Sequence, residues 1–95
     1  MQKKYESMIV IAPKFGEEDA KKENEKIHSS IKKLGGEVQN TDEWGKKQLA
    51  YEILDFKEGY YFINYYNLEP AKTSELERTF KLNENIIRYN VLLKS

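Results

Sequence analysis

Cysteine is absent from all 95 residues. That excludes a disulfide framework, a thiolate metal site and a cysteine nucleophile, and it agrees with a reducing compartment. Histidine occurs once, as His28, so no second imidazole exists to share a metal. The serines at 7, 29, 30, 74 and 95 have no histidine near them in pattern and no nucleophile-elbow glycines. Long apolar runs are missing too. Met1 to Tyr5 is polar, and Met8 to Ala12 is far too short for a signal core or a membrane span, so a cytosolic protein with no membrane partner is expected. No G-x-G-x-x-G or Walker lysine is present to cradle phosphate. Arginine is scarce: only Arg78 and Arg88 stand beside fourteen lysines, which suit point contacts to phosphate better than bidentate base reading. There is also no excess of either charge, since sixteen basic residues balance sixteen acidic ones. A neutral chain is not expected to bind nucleic acid strongly and nonspecifically alone. It can do so through a local patch, or with a basic partner sharing the site.

What is present suffices for one domain, residues 1–95, with one core. Lys4 to Ala12 reads as a strand with Tyr5, Ile9 and Ile11 on one face and Met8 and Val10 on the other, and Pro13 ends it. Glu17 to Leu34 reads as a helix. Glu17, Glu18 and Asp19 open it at the positive end of the dipole, Ala20, Ile27, Ile31 and Leu34 form a narrow apolar stripe, and Gly35-Gly36 stops it. Glu37 to Leu54 reads as a long strand with a bulge or bend at Gly45, Asp55 to Gly59 as a turn, and Tyr60 to Leu68 as the return strand of a hairpin. Pro70 to Leu82 reads as a second helix with Thr73 or Ser74 as N-cap, and Leu76, Phe80 and Leu82 on its buried side. Asn83 to Asn85 turns into a last strand, Ile86 to Lys94. The order predicts a ferredoxin-like β-α-β-β-α-β sandwich of the α+β class. Four antiparallel strands then carry both helices on one face and leave the other open.

That topology also hosts acyl phosphate hydrolases, which need a glycine-rich cradle with an arginine after the first strand. The loop here is Ala12-Pro13-Lys14-Phe15-Gly16, without arginine, so no enzyme, small-molecule substrate or cofactor is expected. The many carboxylates cluster on the predicted helices as a solvated face beside Lys21, Lys22 and Lys26. Two other features are informative. Tyr61, Ile63 and Tyr65 share one face of the third strand, Met8 and Val10 one face of the first, and these strands are neighbours at the sheet centre. Whichever face is outward is therefore apolar or aromatic, suited to a protein or to stacked bases. Basic residues also mark the strands: Lys3-Lys4 opens the first, Lys46-Lys47 follows Gly45, and Arg88 and Lys94 lie on the last.

At Trp44-Gly45-Lys46-Lys47-Gln48-Leu49-Ala50-Tyr51-Glu52-Ile53 the chain resembles the sixth small-subunit ribosomal protein family of bacteria. The family pattern there is glycine, a spacer, a basic and a polar residue, then Leu-Ala-Tyr, a spacer and Ile. Glu52 stands where many members have proline, and Leu54 where a basic or small polar residue often follows. Lys3-Lys4-Tyr5-Glu6, Leu76-Glu77-Arg78-Thr79-Phe80, Asn85-Ile86-Ile87-Arg88 and Val91-Leu92-Leu93-Lys94 extend the likeness over essentially the whole chain. The resemblance implies a ribosome-associated, cytoplasmic structural role. It implies binding to the central domain of small-subunit (16S) ribosomal RNA together with the eighteenth small-subunit protein, a short basic chain. It also implies that Ile9, Ile11, Phe62 and Tyr66 face the helices, and Met8, Val10, Tyr61, Ile63 and Tyr65 face out. Asn64 would then fall inside, where a buried amide needs partners.

On this reading Lys3, Lys4, Lys46, Lys47, Arg88 and Lys94 are the candidate RNA phosphate contacts. Met8, Val10, Tyr51, Tyr61, Ile63 and Tyr65 are the candidate protein-partner contacts. The competing expectation is a stand-alone single-stranded RNA-binding module of the RNA-recognition-motif type, stacking bases on Tyr61 and Tyr65. Its basic-aromatic strand signature does not occur in Gly59-Tyr60-Tyr61-Phe62-Ile63.

Overall fold

A computed structural model describes residues 1–14 and 16–94; Phe15 of the first loop and the terminal Ser95, both named above, lie outside the described residues. The elements are β1 (Lys3–Ile11), α1 (Glu17–Lys33), β2 (Glu37–Ile53), β3 (Phe56–Leu68), α2 (Thr73–Leu82) and β4 (Ile86–Lys94), with a single 3-10 turn at Pro70–Lys72. The sheet order is β2-β3-β1-β4 with every neighbour antiparallel. This is the ferredoxin-like sandwich that the pattern of elements predicts.

Strand alternation builds the core. Tyr5, Ile9 and Ile11 of β1 and Tyr60, Phe62, Tyr66 and Leu68 of β3 meet Ala20, Ile27 and Ile31 of α1 and Leu76 and Phe80 of α2. Each such large apolar side chain contributes about 1.5–3 kcal/mol by leaving water, most of it spent against the entropy of ordering the chain. Asn64 lies inward as its position in β3 requires, fully buried, and it is not orphaned. Its Oδ1 lies 3.1 Å from Asn24 Nδ2, 2.9 Å from His28 Nε2 and 2.9 Å from Thr41 Oγ1, while its Nδ2 donates to Asn24 Oδ1 at 2.8 Å. His28 of α1 is half-buried within this polar cluster. Beside it Ser7 and the Tyr66 hydroxyl share a bond of 2.6 Å.

Three local expectations are corrected. The hairpin turns at Leu54-Asp55, not over Asp55 to Gly59: both turn residues have positive φ (50° and 69°), and Ile53 pairs directly with Phe56. This is the geometry of a two-residue turn matched to strand twist, held without glycine. Gly59 belongs inside β3, where a Cβ would run into Val10 Cγ1, so its job is close packing and not turning. The second helix has no side-chain cap. Pro70 starts a 3-10 turn that runs straight into α2, so Thr73 is already helical (φ −63°, ψ −36°), and its hydroxyl donates to Pro70 O at 2.8 Å. Leu82, expected on the buried side, is exposed.

Gly45 does mark a bulge. It has φ +76°, which a side chain would strain, and pairing with β3 shifts by one residue between Glu43 and Gly45. A second shift lies between Val38 and Asn40. The face away from the helices is only partly open. Leu49, Ile53 and Phe56 from the hairpin end pack with Met8 and Tyr61 against a second small cluster, Val10, Ala12 and Ile87.

Candidate nucleic-acid and partner interface

Register assigns the face opposite the helices residue by residue. Reading across β4, β1, β3 and β2, its first row is Lys94, Lys4, Asn67 and Glu37. The second is Leu92, Glu6, Tyr65 and Asn40, and the third is Asn90, Met8, Ile63 and Asp42. The fourth is Arg88, Val10, Tyr61 and Gly45, with Lys47 beyond it opposite Gly59. Alternation puts Lys3 (opposite Leu68) and Lys46 (opposite Tyr60) on the helix side.

The structure therefore divides the six basic candidates. Lys4 and Lys94 are direct cross-strand partners at one end of the face. Arg88 and Lys47 lie toward the other end, and Lys3 and Lys46 point away from it. Like charges directly opposite each other destabilise a strand pair. Glu6 relieves part of this, its Oε1 lying 3.3 Å from Lys94 Nζ, and among the described residues Lys4 forms no ion pair. At the other end Arg88 Nη1 donates to the Tyr51 hydroxyl at 3.2 Å, and its guanidinium carbon stands 5.9 Å from the centre of the Tyr51 ring. The hairpin end thus reaches across the sheet to the opposite edge strand.

The apolar and aromatic candidates divide as well. Val10 is 0% and Ile63 5% exposed, so both are covered within the chain; Met8, Tyr61 and Tyr65 are half-buried, and Tyr51 is 64% exposed. One face of Tyr61 is taken by Trp44, with ring centres 6.2 Å apart and planes 12° from parallel. Tyr65 donates its hydroxyl to Asp42 Oδ2 at 3.0 Å. That bond, with burial and the Asp42 charge, raises the Tyr65 hydroxyl above its ordinary pKa, so it stays a neutral donor. On the inner side burial pushes the Tyr66 hydroxyl up against the opposing effect of Ser7.

Sequence reasoning did not single out Trp44, Asp42, Gln39 or Asn67. The signal for Trp44 is its place just before a bulge glycine: the extra residue turns outward, beside Tyr61, a side chain that strict alternation would send inward. Asn67 and Gln39 join Lys4, Lys94 and Tyr65 around a shallow groove of about 400 Å³. Among the described residues no group of His, Asp and Glu could hold a metal ion, and no helix is long and apolar enough to cross a membrane.

The geometry defines a class first: a ferredoxin-like α+β scaffold with a mixed aromatic and basic sheet face. Comparison with known proteins narrows it. The family model for ribosomal protein S6 matches residues 4–92. The small ribosomal subunit protein bS6 of Dictyoglomus turgidum is 45% identical over 91 residues, 96% of this chain and 94% of that protein. That of Desulforamulus reducens is 41% identical over 88 residues, 93% of each. The crystal structure of 30S ribosomal protein S6 from Thermotoga maritima has a TM-score of 0.92 to this fold at 29% identity, covering 99% of this chain and 89% of that one. The chain belongs to the ribosomal protein S6 family. Its role is structural, within the small ribosomal subunit, and it is not an enzyme.

Proposed function

We propose that this chain acts as a single domain in the cytoplasm, docking on the central domain of small-subunit ribosomal RNA jointly with the eighteenth small-subunit protein. The observation that carries the reading is the division of the outer face. Lys4 and Lys94 at one end and Arg88 and Lys47 at the other flank a strip of half-buried Met8, Tyr61 and Tyr65. Phosphate contacts at the two ends fix orientation, and RNA shape supplies specificity. Lys3 and Lys46 contact RNA only if it wraps past the sheet onto the helix side.

Zero net charge argues that the protein does not hold RNA alone. A basic partner supplies the missing cations and covers the exposed part of the strip and Tyr51, while Val10 and Ile63 support it from beneath. Affinity of the pure chain for a central-domain RNA fragment is expected to rise by at least about tenfold when the eighteenth protein is added. No change on its addition overturns the joint site.

A second reading, independent binding of single-stranded RNA by base stacking, is favoured by the central-strand position of Tyr61 and Tyr65. The Trp44 ring on Tyr61 opposes it, because one stacking surface is already occupied. Tight binding of short unstructured RNA by the pure chain, lost in Tyr61→Ala with Tyr65→Ala, would establish it.

A further inference from the structure

The groove at the Lys4–Lys94 end brings together three kinds of group: ammonium, aromatic ring and amide. Two ammonium groups sit on directly opposed residues of β1 and β4, where their mutual repulsion is a cost to the fold. Glu6 offsets Lys94, which leaves Lys4 as a cation with no carboxylate partner among the described residues. Beside them is the ring of Tyr65, fixed at its far end by the hydroxyl bond to Asp42 and so held as a rigid wall. Two amides, with Tyr5 and Tyr66, complete the lining. Asn67 is the cross-strand partner of Lys4, and its side chain makes no hydrogen bond among the described residues. Gln39 is the extra residue of the first β2 bulge, and its Nε2 donates to Glu37 Oε1 at 3.0 Å while its Oε1 accepts no hydrogen bond among the described residues. The groove, at about 400 Å³, falls in the size range of small-ligand sites.

We propose that this groove receives one unstacked ribonucleotide from a non-helical stretch of RNA. Its phosphate lies between Lys4 and Lys94, its base against Tyr65, and the base edge within reach of the Asn67 and Gln39 amides. Each part follows from the chemistry present. A dianionic or monoanionic oxygen cluster removes the Lys4–Lys94 repulsion, a flat aromatic ring offers stacking to any base, and amides supply both a donor and an acceptor. An acidic peptide would also satisfy the lysines, but it would leave the Tyr65 ring without a stacking partner. The assignment rests on the RNA-docking reading above and gives it a site of nucleotide size.

The test has two arms. In the first, the intact chain is titrated with adenosine 5′-monophosphate, inorganic phosphate and adenosine while backbone and side-chain amide resonances are followed by NMR. The nucleotide is expected to shift Lys4, Tyr65, Asn67, Gln39 and Lys94 together and to saturate at lower concentration than either component. Shifts confined to the lysines and equal for phosphate and nucleotide, shifts elsewhere, or no shifts overturn the groove. In the second arm, Lys4→Ala and Tyr65→Leu are compared with the parent in binding the central-domain RNA fragment with the basic partner present. Lys4→Ala is expected to weaken binding several-fold and to lower the salt slope by about one. Tyr65→Leu, which keeps an apolar filler, is expected to weaken it by at least about fivefold. If the parent binds and both variants bind equally well with an unchanged salt slope, the groove is overturned and the docking reading stands. If the parent gains nothing from the partner, the docking reading itself fails.

Discussion

Arg88 and Tyr51 are 37 positions apart in the sequence and in contact across the sheet, the guanidinium donating to the phenol oxygen at 3.2 Å and resting over the ring. The contact joins the free end of the β2–β3 hairpin to the opposite edge strand. Both groups are solvent-facing, so its contribution to folding is small: about 0.5–1 kcal/mol of coupling in a Tyr51→Ala, Arg88→Ala double-mutant cycle read by urea unfolding. Tyr51→Phe should retain most of it, since the ring supplies the attraction. Coupling near zero would mean that the two side chains meet without holding each other.

The Asn24–Asn64 amide pair is the place where the core is most exposed to error. Asn64→Ala leaves the Asn24 amide and the Thr41 hydroxyl buried with fewer partners, and it should cost about 2–3 kcal/mol in urea unfolding. Asn24→Ala should cost a similar amount. The double variant should cost clearly less than the sum, because the second change removes a group the first had stranded. Strict additivity would show that water, not the partner amide, satisfies each group.

Gly59→Ala places a methyl against Val10 Cγ1, on a side chain that is fully buried and β-branched. Overpacking of this kind should cost about 1–3 kcal/mol. Val10→Ala alone also destabilises, by loss of packing, yet combining it with Gly59→Ala should recover part of the Gly59→Ala penalty. No recovery would trace the effect to the backbone and not to the clash.

Glu23 gives a pH signature. Burial pushes its carboxyl up, but hydrogen bonds from Lys26 and Asn83 outweigh this and leave it below its ordinary value of 4.5. A carboxyl lowered in the folded state stabilises the fold when ionised. That contribution is complete above the ordinary value and is lost as pH falls through the lowered one. The parent should therefore exceed Glu23→Gln in stability at neutral pH, with the gap closing below about pH 4.5 in denaturation series. A gap that persists undiminished to pH 2 would contradict the assignment.

Element order and the grouping of β1 and β3 side chains by face were legible because each rests on local periodicity, such as Ile27 with Ile31 or Ile9 with Ile11, while which face turns inward came from the family resemblance. The outward curl of the hairpin end was not. Leu49 and Ile53 read as strand residues either way, and only tertiary contact with Val10, Ala12 and Ile87 decides that they close over the sheet. The turn was misplaced for a related reason: glycine at 59 signals a turn locally, and the need for space beside Val10 lies 49 residues away. Of the candidate site, the Lys4–Lys94 pairing follows from topology and register. The Tyr51–Arg88 contact and the Trp44–Tyr61 stack depend on bulges and curvature that alternation does not encode.

Those bulges also decide which atoms enter the interior. Counted by twos from Val38, which faces the helices opposite Tyr66, positions 40 and 42 would point inward and 41 outward. Asn40 would then stand opposite Asn64, and the Asp42 carboxylate would turn toward the helices opposite Phe62, the place Glu43 holds beside Lys21. One surplus residue at Gln39 inverts the parity, so a neutral hydroxyl, Thr41, completes the amide cluster while Asp42 stays outside to hold Tyr65. A second surplus residue at Trp44 restores the count. Deleting Gln39 would keep Thr41 inside and Asp42 outside by plain alternation from Val38, whereas a Gln39 paired as an ordinary ladder residue would exchange the two.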